Sequence, residues 1–321
     1  MVTGESAPLR VAFFGTPSFA VPTLERLLAS RHAVVGVVTQ PDRPRGRGHR
    51  VTESPVKVVA RRHDLPILQP QRLRDPSIAG ALAAWEPDLG VVAAYGQLIP
   101  GAILQQPRHG MINVHASLLP KYRGVAPVHR AVIDGAPETG VTIMRMVEAL
   151  DAGPMLARVI RPIDPDETSE EVERSLAVLG ASLLGAVVEQ IAAGPVHEEP
   201  QDDMLSTYAP RLTKNDSPID WTLPAAFVHN RVRGLHPWPH ASTILDGARL
   251  IVLRTRVAPA AGVAGAPGTV VEVSRDALYV ATGHKGCIAI EAVQPEGRRA
   301  MSVRDFLAGH AVRPGTHLSA P

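Results

Sequence analysis

The 321-residue sequence has a single cysteine, Cys287, so it can form neither an intrachain disulfide nor a Cys-rich zinc module. That fits a reducing compartment, and cytoplasm is expected. No uninterrupted apolar run approaches the roughly 18 residues that span a bilayer, so a membrane is not expected among its partners. The first ten residues lack an apolar stretch followed by a small-residue cleavage site, and no secretion signal is read there. Gly15-Thr16-Pro17 lacks the second and third glycines of a dinucleotide fingerprint and the lysine of a P-loop. Neither a Gly-x-Ser-x-Gly elbow nor a His-Glu-x-x-His pair occurs. His236 and His240 are four apart but separated by Pro237 and Pro239, which forbid a helical ligand pair. A nucleotide cofactor, a serine hydrolase and a metal site are therefore not expected.

What is present is a globular composition, 45% hydrophobic and 20% charged, with length for one large domain or two ordinary ones. The net charge of +2 hides an asymmetry. Residues 1–208 hold 20 basic and 23 acidic groups, and residues 209–321 hold 13 and 8. The basic excess of the second part points weakly to a polyanionic partner and is equally met by a solvated surface of mixed charge.

Short apolar runs alternate with amphipathic stretches from residue 9 onward. Strands are expected over 9–14, 32–39, 89–94, 111–115 and 141–146, with helices after the first and over 54–63. Strands of continuous apolar character fed by helices indicate an α/β fold with a mostly parallel sheet covered on both faces, whose ligands sit at the carboxyl ends of the strands. The longest helix is expected over 168–193, opened by Thr168-Ser-Glu-Glu and closed at Gly194-Pro195. A first domain over 1–196 and a polar linker over 197–218 follow from this pattern. Beyond lies a unit over 219–321 with one helix near 223–232 and short strands at 250–257, 268–273, 278–281 and 287–292. An oligonucleotide-binding type of barrel is one candidate for it among several sandwich folds. Trp221 and Trp238 are expected to pack the linker onto this unit.

Three clusters could carry chemistry. In Ile112-Asn113-Val114-His115-Ala116-Ser117-Leu118-Leu119-Pro120 a strand ends in a loop, and alternation places Asn113 and His115 on one face. An imidazole with a carboxamide beside it suits acyl transfer, the first moving a proton and the second stabilising a developing oxyanion. A buried pair that satisfies backbone groups would have the same spacing. Asp151, in Glu148-Ala-Leu-Asp151-Ala-Gly153, follows the next strand, where it would emerge at the edge of His115 and orient the imidazole, or simply start a turn. The segment 42–50 carries Arg43, Arg45, Arg47 and Arg50 among Gly and Pro. It is expected to be a loop unable to fold by itself, either gripping phosphate or merely solvated.

These residues, with several further blocks, carry a resemblance to the methionyl-tRNA formyltransferases of the folate-dependent formyltransferase family over almost the whole chain. The blocks are Phe14-Gly-Thr-Pro-Ser-Phe-Ala20, the arginine segment with the residues before it from Val38, Ser54-Pro-Val-Lys57, Ala93-Ala-Tyr-Gly96, 112–124, Glu138-Thr-Gly-Val-Thr-Ile143, Leu150-Asp-Ala-Gly153, Ile219-Asp-Trp221 and His236-Pro-Trp-Pro239. The Asn-x-His and Ser-Leu-Leu-Pro block is shared with other formyl-folate enzymes; the arginine segment and the C-terminal β-unit narrow the resemblance. It implies a Rossmann-like formyltransferase domain, a linker and an OB-like barrel that binds tRNA. The implied formyl donor is 10-formyltetrahydrofolate and the acceptor is initiator methionyl-tRNA, with no metal and a monomeric state expected. The catalytic trio falls on Asn113, His115 and Asp151 and the folate-contacting loop on Ser117, Leu118, Leu119 and Pro120. The tRNA-contacting loop falls on Arg43, Arg45, Arg47 and Arg50. A folate-dependent formyltransferase acting on a small amine or amino sugar is the alternative.

Overall fold

A computed structural model describes residues 7–45, 50–259 and 265–319. In chain order the elements begin β1 (Arg10–Gly15), α1 (Val21–Leu28), β2 (Ala33–Val38), β3 (Arg43–Arg45), β4 (Arg50–Thr52), α2 (Pro55–Arg62), β5 (Ile67–Leu68), α3 (Pro76–Ala83) and β6 (Leu89–Ala93). They continue α4 (Gly101–Leu104), β7 (Met111–His115), β8 (Arg123–Gly124), α5 (Pro127–Ile133), β9 (Glu138–Arg145), β10 (Met155–Pro162), α6 (Ser169–Ala193), β11 (Tyr208–Ala209) and α7 (Ala225–Gly234). Last come β12 (Ala241–Leu245), β13 (Ala248–Ala258), β14 (Val270–Val273), β15 (Leu278–Thr282), β16 (Gly286–Pro295), β17 (Met301–Ser302) and α8 (Val303–Leu307). The chain packs as two units. Met1–Gly124, Gly140–Arg161 and Glu173–Tyr208 form the first; Val125–Thr139, Pro162–Val172 and Ala209–Pro321 form the second. Of the stretch 197–218, residues up to Tyr208 lie in the first unit and those from Ala209 in the second.

In the first unit a seven-stranded sheet runs in the order β10-β9-β7-β6-β1-β2-β5. β1 pairs in parallel with β2 and β6, β2 with β5, and β6 with β7. β1 and β6 are buried almost throughout, which is why they read as continuous apolar runs. The chain leaves β1 toward β2 and later returns to its other side as β6, so the order reverses at β1 and opens a crevice at the carboxyl ends of the strands. The loops there are tied together, since Thr16 Oγ1 donates to the Tyr95 carbonyl (3.0 Å) and Gln40 Nε2 to the same oxygen (3.3 Å).

The helix starts follow the capping rules. Ser54 accepts from the Lys57 amide at the start of α2 (3.1 Å). Thr168 and Glu171 exchange side-chain to backbone bonds at the start of α6. By length and composition α6 is a helix that could cross a membrane, although Glu, Arg, Ser and Gln interrupt its apolar run. One side of it instead packs inside the first unit. Leu176, Leu184, Val187, Val188 and Ile191 are buried, and Gly180 lies so close to the sheet that a Cβ there would come within 2.9 Å of Val114.

The second unit holds an antiparallel sheet in the order β12-β13-β16-β15-β14, with β17 on β16. Both ends of that order pair with the same C-terminal segment, through Ile244 with Ser319 and Thr269 with His317. The segment therefore covers both exposed edges, the usual liability of an open sheet. Gly268 makes this possible. Its φ is +87°, and a Cβ there would meet the Leu318 carbonyl at 2.5 Å. α7 contributes Val228 and Val232 to the core, and α8 contributes Val303 and Phe306. Trp221 is buried and its Nε1 donates to Thr243 Oγ1 (3.2 Å), whereas Trp238 is 51% exposed and does not pack as expected. The Pro237 and Pro239 that flank Trp238 leave no helical or strand periodicity to decide which way the ring faces.

Candidate active site

β7 carries Asn113 and His115 to its carboxyl end. Val114 between them faces α6 at Gly180, so Asn113 and His115 share the opposite face. Both are buried. The His115 Nε2 donates to the Tyr122 carbonyl at 3.0 Å, and this fixes the tautomer because a carbonyl can only accept. His115 Nδ1 lies 3.7 Å from Asp151 Oδ2. A doubly protonated ring would find an acceptor at each nitrogen. Among the described residues, the Asn113 carboxamide has no hydrogen-bond partner of its own.

Asp151 reaches His115 by a route that the strand order does not suggest. β9 pairs with β7 antiparallel, with His115 opposite Thr142 and Ile112 opposite Arg145. The chain therefore leaves β9 at the amino end of β7, and Asp151 does not emerge at the edge of His115 as expected. The loop 146–154 folds back instead. Asp151 takes a left-handed φ of +48°, and Gly153 packs so tightly that a Cβ would stand 1.9 Å from the Arg145 carbonyl. The Gly124 amide donates to Asp151 Oδ2 at 2.8 Å, which leaves the carboxylate oriented toward the imidazole. β9 is buried through most of its length, and burial alone does not tell a parallel strand from an antiparallel one.

The loop after β7 is built from inside. Ser117 Oγ donates to the Lys121 carbonyl (2.7 Å), Thr142 Oγ1 donates to the Ser117 carbonyl (2.7 Å), and the Leu119 amide donates to Thr142 Oγ1 (3.2 Å). Ser117 and Leu119 are buried, and Leu118 and Pro120 are partly exposed. Ser117 and Leu119 thus shape the loop from within, while Leu118, Pro120 and the backbone offer the surface.

The arginine segment departs from the expected loop. Arg43–Arg45 and Arg50–Thr52 pair antiparallel as a hairpin, with Arg45 opposite Arg50. Arg43 is exposed, and Arg47 lies outside the described residues. The pairing has a physical anchor that composition did not show. Lys57, from α2, donates to Asp42 at the hairpin base, and Gln69 Nε2 donates to Asp42 Oδ1 (2.8 Å) and to the Gln40 carbonyl (3.0 Å). The Lys57 ammonium holds the Asp42 carboxyl below its usual range, and Asp42 in turn raises Lys57.

A formyl transferase sequence profile matches residues 9–188, and a formyl transferase C-terminal domain profile matches 211–311. The chain is 45% identical over 312 residues to the methionyl-tRNA formyltransferase of Geobacter sulfurreducens, covering 97% of each chain. It belongs to the methionyl-tRNA formyltransferase family. The enzyme of that name from Halalkalibacterium halodurans is 44% identical over 301 residues, 94% of this chain and 95% of that one. Among solved structures, a Helicobacter canadensis N-formyltransferase in complex with folinic acid and dTDP-3-aminofucose aligns with a TM-score of 0.66 at 15% identity, covering 88% of this chain and 99% of that one. HypX from Aquifex aeolicus in complex with tetrahydrofolic acid aligns at 0.63 and 16%, covering 97% and 51%. These two share the fold. Family membership leaves three participants in the site that residue patterns did not single out, namely the Tyr122 carbonyl, the Gly124 amide and Gln201. The first two lie within the 112–124 block, but backbone groups carry no residue-type signal. Gln201 sits in a polar stretch with no periodicity at all.

Proposed function

We propose that this chain transfers the formyl group of 10-formyltetrahydrofolate to the α-amino group of initiator methionyl-tRNA. The observation that carries the reading is the unpartnered Asn113 carboxamide on the same buried strand end as an imidazole that faces a carboxylate. That arrangement, in a chain of this family, is what acyl transfer without a covalent enzyme intermediate needs. The amine nitrogen forms a bond to the formyl carbon while the bond from that carbon to the folate nitrogen breaks. One proton leaves the amine and one reaches the departing nitrogen, so the step is neutral overall. Asn113 donates an N–H to the formyl oxygen as it gains charge, and the His115 imidazole beside it serves the proton movement. Asp151 orients the ring.

The unpartnered amide suits the donor's formyl oxygen, and the partly exposed Leu118 and Pro120 suit contact with an aromatic folate ring. The formyl-transfer chemistry is assigned to residues 1–196. The arginines Arg43, Arg45, Arg47 and Arg50, with the basic part over 219–321, are assigned to tRNA phosphates. Purified protein is to be given 10-formyltetrahydrofolate with methionyl-tRNA, free methionine, uncharged tRNA or a dTDP-amino sugar. Formylation of methionyl-tRNA alone is the expected outcome. Turnover of the amino sugar with indifference to methionyl-tRNA would replace this reading with a small-amine transferase.

A further inference from the structure

We propose that Gln201 is a positioning residue for formyl transfer, holding two backbone turns in the arrangement that brings Asp151 to His115. The inference rests on the assignment of Asn113, His115 and Asp151 to the reaction. Gln201 lies fifty residues beyond Asp151, in a segment that returns along the first unit. Its Nε2 donates to the Asp151 carbonyl (2.8 Å) and to the Gly153 carbonyl (2.7 Å), while its Oε1 accepts from Arg123 Nε (3.0 Å). Both amide hydrogens and the amide oxygen are thus engaged. Only a primary carboxamide offers two donors and an acceptor in one plane.

The two turns it joins are those that touch the histidine. Asp151 and Gly153 belong to the folded-back loop, with Asp151 in the left-handed region that a non-glycine residue adopts only at a cost. Tyr122 (φ +60°) and Gly124 (φ +117°) belong to the other turn, which gives its Tyr122 carbonyl to His115 and its Gly124 amide to Asp151 Oδ2. The bonds close a ring that runs from Gln201 through the Asp151 backbone to its carboxylate, then to Gly124 and Arg123 and back to Gln201. His115 makes contact with both turns of that ring. The same segment adds Thr207, whose Oγ1 accepts from the Tyr122 amide (2.8 Å) and whose carbonyl accepts from the Arg123 amide (2.8 Å). Loosening Gln201 would let the Asp151 turn relax its left-handed residue and move the carboxylate relative to the imidazole. A misplacement on the order of 1 Å in a catalytic group can cost about 10²-fold in rate.

The test compares Gln201→Glu with the wild type in the full-length protein. Glutamate has the same shape and keeps the acceptor for Arg123, but it presents oxygen to the two carbonyls. The expected result is a fall in kcat of about tenfold or more, KM for methionyl-tRNA within about threefold, and a shifted pH profile of kcat. Asp203→Asn is the control. It alters the exposed partner of Arg123 Nη2 and no bond to Asp151, and is expected to keep both kcat and profile. Wild-type kcat with an unchanged profile in Q201E overturns the proposal. So does a loss of kcat matched by the loss of folded protein with the profile unmoved, since that would be a purely structural role. Should Q201E be recovered unfolded, Gln201→Met, uncharged and of similar length, is judged by the same two readouts. Asp151→Asn separates this inference from the one beneath it. Full activity of Asp151→Asn sinks the site assignment, whereas an impaired Asp151→Asn beside a normal Q201E sinks only Gln201.

Discussion

The loop that carries Asp151 and the hairpin that carries the arginines belong to the same unit and are held in opposite ways. The first is fixed along its length, at two carbonyls by Gln201, at the carboxylate by the Gly124 amide, and at Gly153 by close packing on Arg145. The second is fixed at its base, where Lys57 and Gln69 hold Asp42, and its strands form a sheet of their own. The difference matches what each is proposed to touch. A donor that stabilises a developing oxyanion works only within hydrogen-bonding distance of one atom. A guanidinium that meets a phosphate acts through a field that extends about 8–10 Å at ordinary salt, so it tolerates movement. One loop is therefore expected to govern turnover and the other substrate capture.

The contrast is sharpest in the largest effect. Asn113→Ala and Asp151→Asn are each expected to lower kcat by about 10²- to 10³-fold, with KM for methionyl-tRNA within about threefold. Steady-state kinetics with 10-formyltetrahydrofolate and methionyl-tRNA measure both. A rise in KM with kcat unchanged would mean that these side chains bind the acceptor rather than act on it. Lys57→Met should give the reverse split. Removing the cation frees Asp42 and loosens the hairpin base, so KM for methionyl-tRNA is expected to rise by about three- to tenfold while kcat at saturation stays within about twofold. Equal losses in kcat would show that the hairpin base also shapes the reacting site.

Much of this contrast was legible in the sequence, though unevenly. Asn113 and His115 were placed on one face by strand alternation alone, and α2 and α6 were announced by Ser54-Pro and Thr168-Ser-Glu-Glu, because caps are local chemistry. The juxtaposition of Asp151 with His115 was anticipated for the wrong reason. It relied on a parallel exit from the sheet, whereas the real route is an antiparallel strand followed by a loop held in place by Gln201. Such long-range side-chain to backbone bonds leave no periodicity. β10 went unread because its residues are mostly half-buried or exposed, as on an edge of the sheet, and the hairpin because its anchors, Lys57 and Gln69, lie outside the arginine segment.

A smaller effect probes the hairpin itself. Arg43→Ala removes one exposed cation, and one lost phosphate contact should lower the steepness of log affinity against log salt by about 0.7–0.9 while weakening binding uniformly across tRNA sequences. Filter binding of methionyl-tRNA across a salt series measures the slope. An unchanged slope would remove Arg43 from the phosphate contacts and leave the hairpin's role to its other arginines.

The smallest expected effect is an absence of change with acidity, and it follows from the sign of one shift. Asp42 titrates below its usual range because Lys57 and Gln69 hydrogen-bond to its carboxylate, so the anchored form is favoured above the ordinary carboxylate pKa of about 3.9 and is lost only as pH falls through the lower folded value. The arginines keep their charge throughout. Between pH 8 and pH 5 the hairpin's contribution should then stay constant. The ratio of methionyl-tRNA affinities of wild type and Lys57→Met is accordingly expected to remain within about twofold over that range, since one pKa unit of coupling would already move it about tenfold. A ratio that collapses toward one between pH 6 and pH 5 would show that a group other than Asp42 holds the base, and the contrast between a rigid turnover loop and an anchored capture hairpin would need a different anchor.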